Sequence, residues 1–201
     1  MRHDTLLKTM SEIVETRCNS ENNQKLKIIY DEDAQNPRTE FDTLCTILSS
    51  RDELGDVHIR NREELEQWKS DNPTVLEFPL YAYEHSSISL SISDEYPFND
   101  KWDAGQIGVI VITRKSMKSI MDYSNLTKKR AENLTKLVKS EIEIFNDYIN
   151  GNVYGFEIVK TVTCDLECEH EELLDSCWGF YGHDFENNGI SDYVPDFEKY
   201  V

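Results

Sequence analysis

The chain lacks a hydrophobic run long enough to cross a membrane. Its longest apolar stretch, residues 107–112, is interrupted by Gly108, whereas a membrane-spanning helix needs about 20 apolar residues. The first residues also lack the apolar segment of a signal peptide, because Lys8 follows directly after Leu6 and Leu7. We therefore expect a soluble protein that stays in the cytoplasm where it is made.

Nucleotide-binding and hydrolase motifs are missing as well. The chain contains neither Gly-x-x-x-x-Gly-Lys nor Gly-x-Gly-x-x-Gly, the loops that hold phosphates, and no Gly-x-Ser-x-Gly turn that exposes a nucleophilic serine. We therefore predict no cofactor and no serine nucleophile. The five cysteines are expected to be reduced thiols, since cytoplasmic proteins rarely keep disulfides.

Positive charge is scarce. Lys and Arg number 21 against 39 Asp and Glu, which gives a net charge of −18. Such a charge repels phosphate backbones and membrane surfaces and attracts basic proteins. We therefore predict a basic protein partner and no direct contact with nucleic acid or membrane. Duplex DNA carries the same charge over about 30 Å. Net charge also keeps a protein soluble, and this simpler explanation of the acidity stays open.

The acidic residues are concentrated near the C-terminal end. Residues 161–198 contain eleven Asp and Glu and no Lys or Arg, while residues 114–139 contain eight basic and two acidic residues. The protein is therefore predicted to be an electric dipole as well as an anion.

Hydrophobic periodicity predicts an α+β fold in one domain, residues 1–201. Residues 127–150 repeat apolar side chains every three or four positions, which predicts one long helix. Ile88, Leu90 and Ile92 alternate with serines, which predicts a β-hairpin formed by residues 78–84 and 87–93. We expect an antiparallel sheet of hairpins or a meander, with the long helix and one or two shorter helices packed on it.

Shorter segments complete this prediction. Residues 5–16 carry apolar side chains at helical spacing, so residues 1–22 are predicted to be a helical N-terminal appendage. Other helices are predicted at residues 62–68 and 115–123, and other strands at residues 25–30, 108–113, 153–163 and 176–181. In the last strand, simple alternation places Trp178 and Phe180 on one face.

A group of sulfur and nitrogen ligands lies near the last two strands. Three thiols and one imidazole occur within 14 residues: Cys164, Cys168, His170 and Cys177. Zinc binds four such ligands in a tetrahedron. The spacing departs from the usual cysteine pairs of zinc sites, so we predict no metal here and keep zinc as the alternative. The simpler interpretation is a solvated acidic hairpin loop with buried free cysteines.

Seven sequence blocks occur in the same order as in a known family. They are Asn-Pro-Arg at 36–38, Phe-Asp-Thr-Leu at 41–44, Leu-Gly-Asp at 54–56, Tyr-Glu-His-Ser at 83–86, Trp-Asp-Ala-Gly-Gln-Ile-Gly at 102–108, Tyr-Ile-Asn-Gly-Asn-Val-Tyr-Gly at 148–155 and Asp-Ser-Cys-Trp-Gly-Phe-Tyr-Gly at 175–182. The series resembles a family of small proteins encoded by bacteriophages and mobile elements. The resemblance implies a phage-like origin and brings no catalytic residues. The chain departs from the pattern in its N-terminal helix and in residues 164–172.

The charge and the resemblance together predict a protein–protein binding function. We expect a phage accessory protein that inhibits a basic defence protein of the bacterial host by occupying its nucleic-acid-binding groove. A homo-oligomer is compatible with this function. The predicted contact residues are the carboxylates of Asp165, Glu167, Glu169, Glu171, Glu172, Asp184 and Glu186.

Two other functions stay open. The first is a metal-dependent hydrolase, since residues from separate blocks often converge on one cleft. Its candidate residues are Asp42, Asp56, His85, Asp103 and Asp175. The second is a regulatory or structural phage protein that binds a host factor unrelated to defence.

Overall fold

The computed structural model describes residues 12–93, 95–98, 102–164 and 168–201. They form two compact units: the first combines residues up to Gln35 with residues from Gly151 onward, and the second is Asn36–Asn150. Each unit has its own β-sheet and helical segments, so the predicted α+β fold class is confirmed. The hydrophobic pattern does not reveal this division, and folding as one domain stays a prediction.

The first unit is a four-stranded antiparallel sheet. Its strands, in spatial order, are β1 (Ile13–Asn19), β2 (Gln24–Tyr30), β8 (Val153–Thr163) and β9 (Glu169–Tyr181). Leu26 pairs with Ile158 and Ile28 pairs with Phe156, and all four side chains are buried. The C-terminal segment, which includes the short helix α5 (Ile190–Tyr193), packs into the same core with Phe185, Ile190, Val194, Phe197 and Tyr200.

The second unit is a five-stranded mixed sheet with helices on both faces. Its strands, in spatial order, are β4 (Val57–His58), β3 (Thr46–Ser49), β7 (Ala104–Thr113), β5 (Thr74–Glu84) and β6 (Ile88–Ile92). The pair β3 and β4 is parallel and the other pairs are antiparallel. Its helices are α1 (Pro37–Glu40), α2 (Arg62–Asp71), α3 (Arg114–Met121) and α4 (Lys128–Ile149).

Helix α4 packs on one face of this sheet and α2 on the other. The apolar stripe of α4 is buried through Leu134, Val138, Ile142 and Phe145. On the other face, α2 packs Leu65 and Trp68 against β3 and β7. The predicted long helix and the predicted hairpin, now β5 and β6, are thus confirmed. Of the helices in the described part of the chain, none is both long and apolar enough to span a membrane.

The predicted N-terminal helix is wrong from Ile13 onward, where β1 begins. Ile13, Val14 and Thr16 are β-branched, and such residues favour a strand. Pairing along the whole of β2 outweighs the helical spacing of the apolar residues. Residues 1–11, which carry the rest of this prediction, lie outside the described residues.

Side-chain amides of α4 cover the outer edge of β6. The backbone N–H of Leu90 donates to Asn146 Oδ1 at 2.8 Å, and Asn146 Nδ2 donates to the Leu90 carbonyl at 2.9 Å. Asn150 makes the same pair of bonds with Ile88, at 2.9 and 2.7 Å. The two asparagines, one helical turn apart, therefore occupy the positions that a neighbouring strand would take.

Two further edges are covered at one position or short. On β1, Cys18 exchanges two backbone hydrogen bonds with Val201, with N···O distances of 3.0 and 3.1 Å. Strand β4 has two residues. Edge strands that are covered or very short resist pairing with other chains.

Candidate binding surface on strand β9

Strand β9 lies at the remaining edge of the first sheet. It has 13 residues and pairs with β8 alone among the described strands. Residues 169–176 are exposed. The predicted strand at 176–181 is confirmed, but the predicted acidic loop before it is wrong from Glu169 onward. Strand β8 supplies pairing partners as far as Thr163, opposite Glu169, and this pairing outweighs the low strand propensity of acidic residues. We call residues 169–178 the β9 edge.

A β-bulge at Gly179 separates two aromatic side chains. Trp178 and Phe180 pair with Gly155 and Tyr154, which are adjacent in β8, so Gly179 is the extra residue, with a φ of +88°. Adjacent residues of a strand face opposite sides. The prediction that Trp178 and Phe180 share a face is therefore wrong. Phe180 is buried in the core, whereas the Trp178 ring lies over Gly155 and the residue is 43% exposed.

Two leucines are exposed in the middle of the β9 edge. Leu173 is 56% exposed and Leu174 is 45% exposed. Leu174 is the extra residue of a second bulge, because Leu173 and Asp175 pair with the adjacent residues Val159 and Ile158. Exposed apolar side chains that lie together mark contact surfaces more often than isolated ones do. In the sequence, the two adjacent leucines within an acidic run indicate this surface, but the interpretation of the run as a loop did not identify it.

Three carboxylates of the β9 edge make no ion pair with another described residue: Glu169, Glu172 and Asp175. Glu172 lies opposite Lys160 in the register without forming an ion pair. Asp175 accepts a hydrogen bond from the backbone of the next residue, Ser176, at 2.8 Å. The β9 edge therefore presents negative charge beside exposed apolar side chains.

Glu171 is already bound within the sheet. It reaches across β8 to Lys25 and Lys27 of β2, with 3.0 Å between its Oε1 and Lys25 Nζ. The hydrogen bonds from Lys27 and Lys25 lower the pKa of Glu171. This carboxylate therefore links strands and contributes little free charge to the β9 edge.

Two other predicted contact residues, Asp184 and Glu186, follow β9 in the chain. Glu186 pairs with Arg17 at 2.9 Å. Asp184 accepts a hydrogen bond from the Asn187 amide at 2.9 Å within a turn. Asp165 and Glu167 lie outside the described residues. The available acidic set is therefore smaller than the sequence indicates.

A disulfide joins Cys164, which follows β8, and Cys168, which precedes β9. The expectation of reduced thiols is wrong for this pair, because the two Cα atoms lie 5.4 Å apart, within the range that a disulfide requires. In the register, His170 lies opposite Val162 and Cys177 lies opposite Phe156. The four zinc candidates do not come together, and no group of His, Cys, Asp and Glu suited to a metal occurs among the described residues.

Asp56, a candidate of the hydrolase alternative, binds a buried arginine. The side chain of Arg38 is 4% exposed, and its Nε and Nη2 atoms donate to the two carboxylate oxygens of Asp56 at 3.0 and 2.5 Å. Asp56 also accepts the backbone N–H of Ile47 at 2.7 Å. A carboxylate bound in this bidentate way has a structural role.

Glu141 of α4 completes this network. It accepts Arg38 Nη1 at 3.2 Å, the backbone N–H of Leu44 at 2.7 Å and the Cys45 thiol at 3.0 Å. Burial lowers the pKa of Arg38, but the hydrogen bond to Asp56 and the surrounding negative charges raise it further than burial lowers it. Burial raises the pKa of Cys45, so its thiol stays protonated and unreactive. No local sequence signal predicts contacts between residues 103 positions apart.

His85 and Asp103 lie at one end of the second sheet. The backbone N–H of Glu84 donates to the Asp103 carbonyl at 2.8 Å, and both candidates are exposed. Asp103 lines a shallow cleft of about 280 Å³ with Arg51, Glu84 and Trp102.

The four hydrolase candidates of the second unit, Asp42, Asp56, His85 and Asp103, do not form one cluster. Asp56 accepts a hydrogen bond from Ile47, which pairs with Ile110 in the middle of β7. Asp103 precedes Ala104, the first residue of β7, and Ala104 lies six residues before Ile110. Six strand residues span about 20 Å. Asp42 is exposed after α1, and Asp175 belongs to the first unit. The hydrolase alternative therefore stays a prediction without an assembled site.

The chain was compared with known protein families, curated proteins and solved structures. No protein-family model, no curated protein and no solved structure matches the chain.

Proposed function

We propose that the protein acts by binding another protein and that its β9 edge forms the contact. The partner in this proposal is a basic protein whose nucleic-acid-binding groove is occupied by the acidic strand. The protein is then a counter-defence inhibitor, encoded by a bacteriophage or mobile element and acting in the cytoplasm of the bacterial host.

The observation that carries the proposal is the combination of charge and apolar exposure on one strand. The net charge of −18 attracts basic surfaces over long range. The carboxylates of Glu169, Glu172 and Asp175 form no ion pair with another described residue and supply negative charge at the surface. Leu173 and Trp178 supply exposed apolar area. Tryptophan is also among the residues that contribute most to binding energy in protein interfaces.

We change the set of contact residues proposed from the sequence: Glu169 and Glu172 stay in it, and Asp175 is added. Glu171 and Glu186 each pair with basic side chains of the same chain, and Asp184 bonds within its own turn. We therefore place the contact on the three carboxylates named above and not on the whole acidic run.

Affinity capture from a bacterial lysate tests the proposal. The immobilised full chain is expected to retain a basic, nucleic-acid-binding protein at about 0.05 M salt and to release it near 1 M salt, where the screening length falls to about 3 Å. Added duplex DNA or RNA should displace the captured protein from the resin, since the two compete for one groove. If no basic protein is retained at low salt, the proposal is wrong.

Two charge-matched variants locate the contact. Neutralising the β9 edge with Glu169→Gln, Glu172→Gln and Asp175→Asn should reduce capture at least tenfold. The control removes three exposed carboxylates elsewhere, with Glu63→Gln, Glu132→Gln and Glu143→Gln, and should leave capture nearly unchanged. Equal loss with both variants would show that net charge alone attracts the partner.

A further inference from the structure

The β9 edge belongs to the longest strand at a sheet edge in the described residues. The edge of β6 is covered by the amides of Asn146 and Asn150, β1 bonds to Val201 through Cys18, and β4 has two residues. Along β9, pairing with β8 uses one side of the strand, and the other side faces no described strand. A strand placed this way presents a row of backbone N–H and C=O groups to a partner.

We propose that the partner binds the β9 edge by strand addition, through an extended segment of its own that is rich in Lys or Arg and in β-branched residues. This inference rests on the proposed function and specifies how the contact is made. In strand addition, backbone hydrogen bonds supply affinity and side chains supply specificity.

Charge identifies the occupant. Glu169, Glu172 and Asp175 would lie beside the side chains of the added strand, where opposite charges stabilise cross-strand pairs and like charges destabilise them. A second copy of the chain would place carboxylates beside carboxylates, against a background of −18 on each copy. A basic strand is therefore favoured over a homodimer formed through β9.

The two bulges set the length of the contact. The register with β8 is regular from Glu169 to Leu173, and the shift at Leu174 interrupts it. Five residues are the usual length of a strand in a protein. We therefore expect the partner segment to pair with residues 169–173 and to contact Leu174 and Trp178 with side chains beyond that stretch.

A pair of synthetic peptides tests strand addition on the full chain. The first is a labelled nine-residue peptide that alternates Lys and Val. The second has the same sequence and charge but carries N-methyl groups on four consecutive central amides, which removes the donors on both edges of the peptide. Binding is measured by fluorescence anisotropy at low salt, and backbone protection in β9 by hydrogen exchange.

The first peptide should bind, and it should slow the exchange of amides within residues 169–173. The methylated peptide should bind at least tenfold more weakly. The variant neutralised at Glu169, Glu172 and Asp175 should lose binding of the first peptide, and the Glu63, Glu132 and Glu143 control should keep it.

The possible negative results distinguish failure of strand addition from failure of the proposed function. Equal binding of both peptides, or protection elsewhere than in β9, would overturn strand addition and leave acidic-surface binding standing. No binding of the first peptide at low salt would also overturn strand addition. Peptide binding as expected, together with a lysate capture that retains no basic protein, would overturn the proposed function and keep the strand-binding site.

Discussion

The edge strands β6 and β9 end their sheets in opposite ways. Asn146 and Asn150 bond to the backbone of β6, so that this edge is closed by the protein itself. Strand β9 is more than twice as long and carries exposed carboxylates and leucines instead of a cover. The difference shows that side chains of this protein close the edge at β6, whereas the longer edge at β9 pairs with no further strand among the described residues.

The two units also differ in whether their carboxylates have binding partners within the protein. In the second unit, Asp56 and Glu141 are bound by the buried Arg38 and by backbone N–H groups. In the first unit, Glu169 and Glu172 extend from β9 without such partners among the described residues. Asp56 and Glu141 are therefore bound within the second unit, whereas Glu169 and Glu172 of the first unit form no ion pair with another described residue.

The largest effect is expected from breaking the buried charge network of the second unit. Arg38→Met leaves Asp56 and Glu141 without a counter-charge and should lower the free energy of unfolding by about 3–5 kcal/mol. Urea denaturation followed by circular dichroism measures the change. The control is Arg51→Met, since Arg51 is 39% exposed and pairs with Glu53 and Glu84; it should cost less than about 1 kcal/mol. Equal costs for both variants would contradict a structural role for the network.

Opening the edge of β6 should have the next largest effect. The double variant Asn146→Ala and Asn150→Ala removes four hydrogen bonds to the backbone of β6 and should cost about 2–4 kcal/mol, because peptide groups lose their partners. The variant should also self-associate, which sedimentation velocity detects. Asn133→Ala, an exposed position of the same helix, is the control and should change neither property. If the double variant keeps its stability and stays monomeric, the asparagines do not protect the edge of β6, and the contrast with β9 is wrong.

Elements with a clear hydrophobic period were predictable from the sequence. Helix α4 and strand β8 match the predicted ranges closely, because an apolar stripe and an apolar run bounded by turns leave few alternatives. Strand β9 was predictable only from residue 176 onward. Its acidic half has no apolar alternation, and pairing with β8 makes it a strand. Such tertiary pairing is invisible in a local pattern.

The candidate site was predictable in charge but not in geometry. The acidic run drew attention to Glu169 and Glu172, yet it did not distinguish them from Glu171, whose lysine partners lie about 145 positions earlier in the chain. The position of the two asparagines that cover β6 was also visible in the sequence, but an analysis of hydrophobic periodicity does not detect it. Asn146 and Asn150 stand one turn apart, next to the apolar stripe of α4, where polar residues need a partner.

Disturbing the support of Trp178 should affect the β9 edge moderately. An added Cβ at Gly155 would lie 2.0–2.7 Å from three atoms of the Trp178 ring. Gly155→Ala should therefore displace the indole, cost about 1–2 kcal/mol and shift tryptophan fluorescence to the red. At Gly105 an added Cβ would meet nothing within 4 Å, so Gly105→Ala should be neutral or slightly stabilising. A Gly155→Ala protein with unchanged fluorescence would contradict the placement of Trp178.

The smallest effect is expected at the one β9-edge carboxylate that is paired. Lys27 and Lys25 lower the pKa of Glu171 in the folded protein, so its charge stabilises the fold above the ordinary glutamate pKa of about 4.3. This contribution disappears as the pH falls through the lowered pKa. Glu171→Gln should therefore unfold at a slightly lower temperature than the wild type at pH 7, and the difference should vanish at low pH and in 1 M salt.

The matched control for this comparison is Glu172→Gln, one position further along the strand. Glu172 lies opposite Lys160 without an ion pair, so its neutralisation should leave the unfolding temperature unchanged while weakening capture of a basic partner. Glu171→Gln should do the reverse, since its charge is already matched by two lysines. If both variants change stability and capture alike, neighbouring carboxylates of β9 do not divide into structural and binding groups, and net charge alone explains the attraction to basic partners.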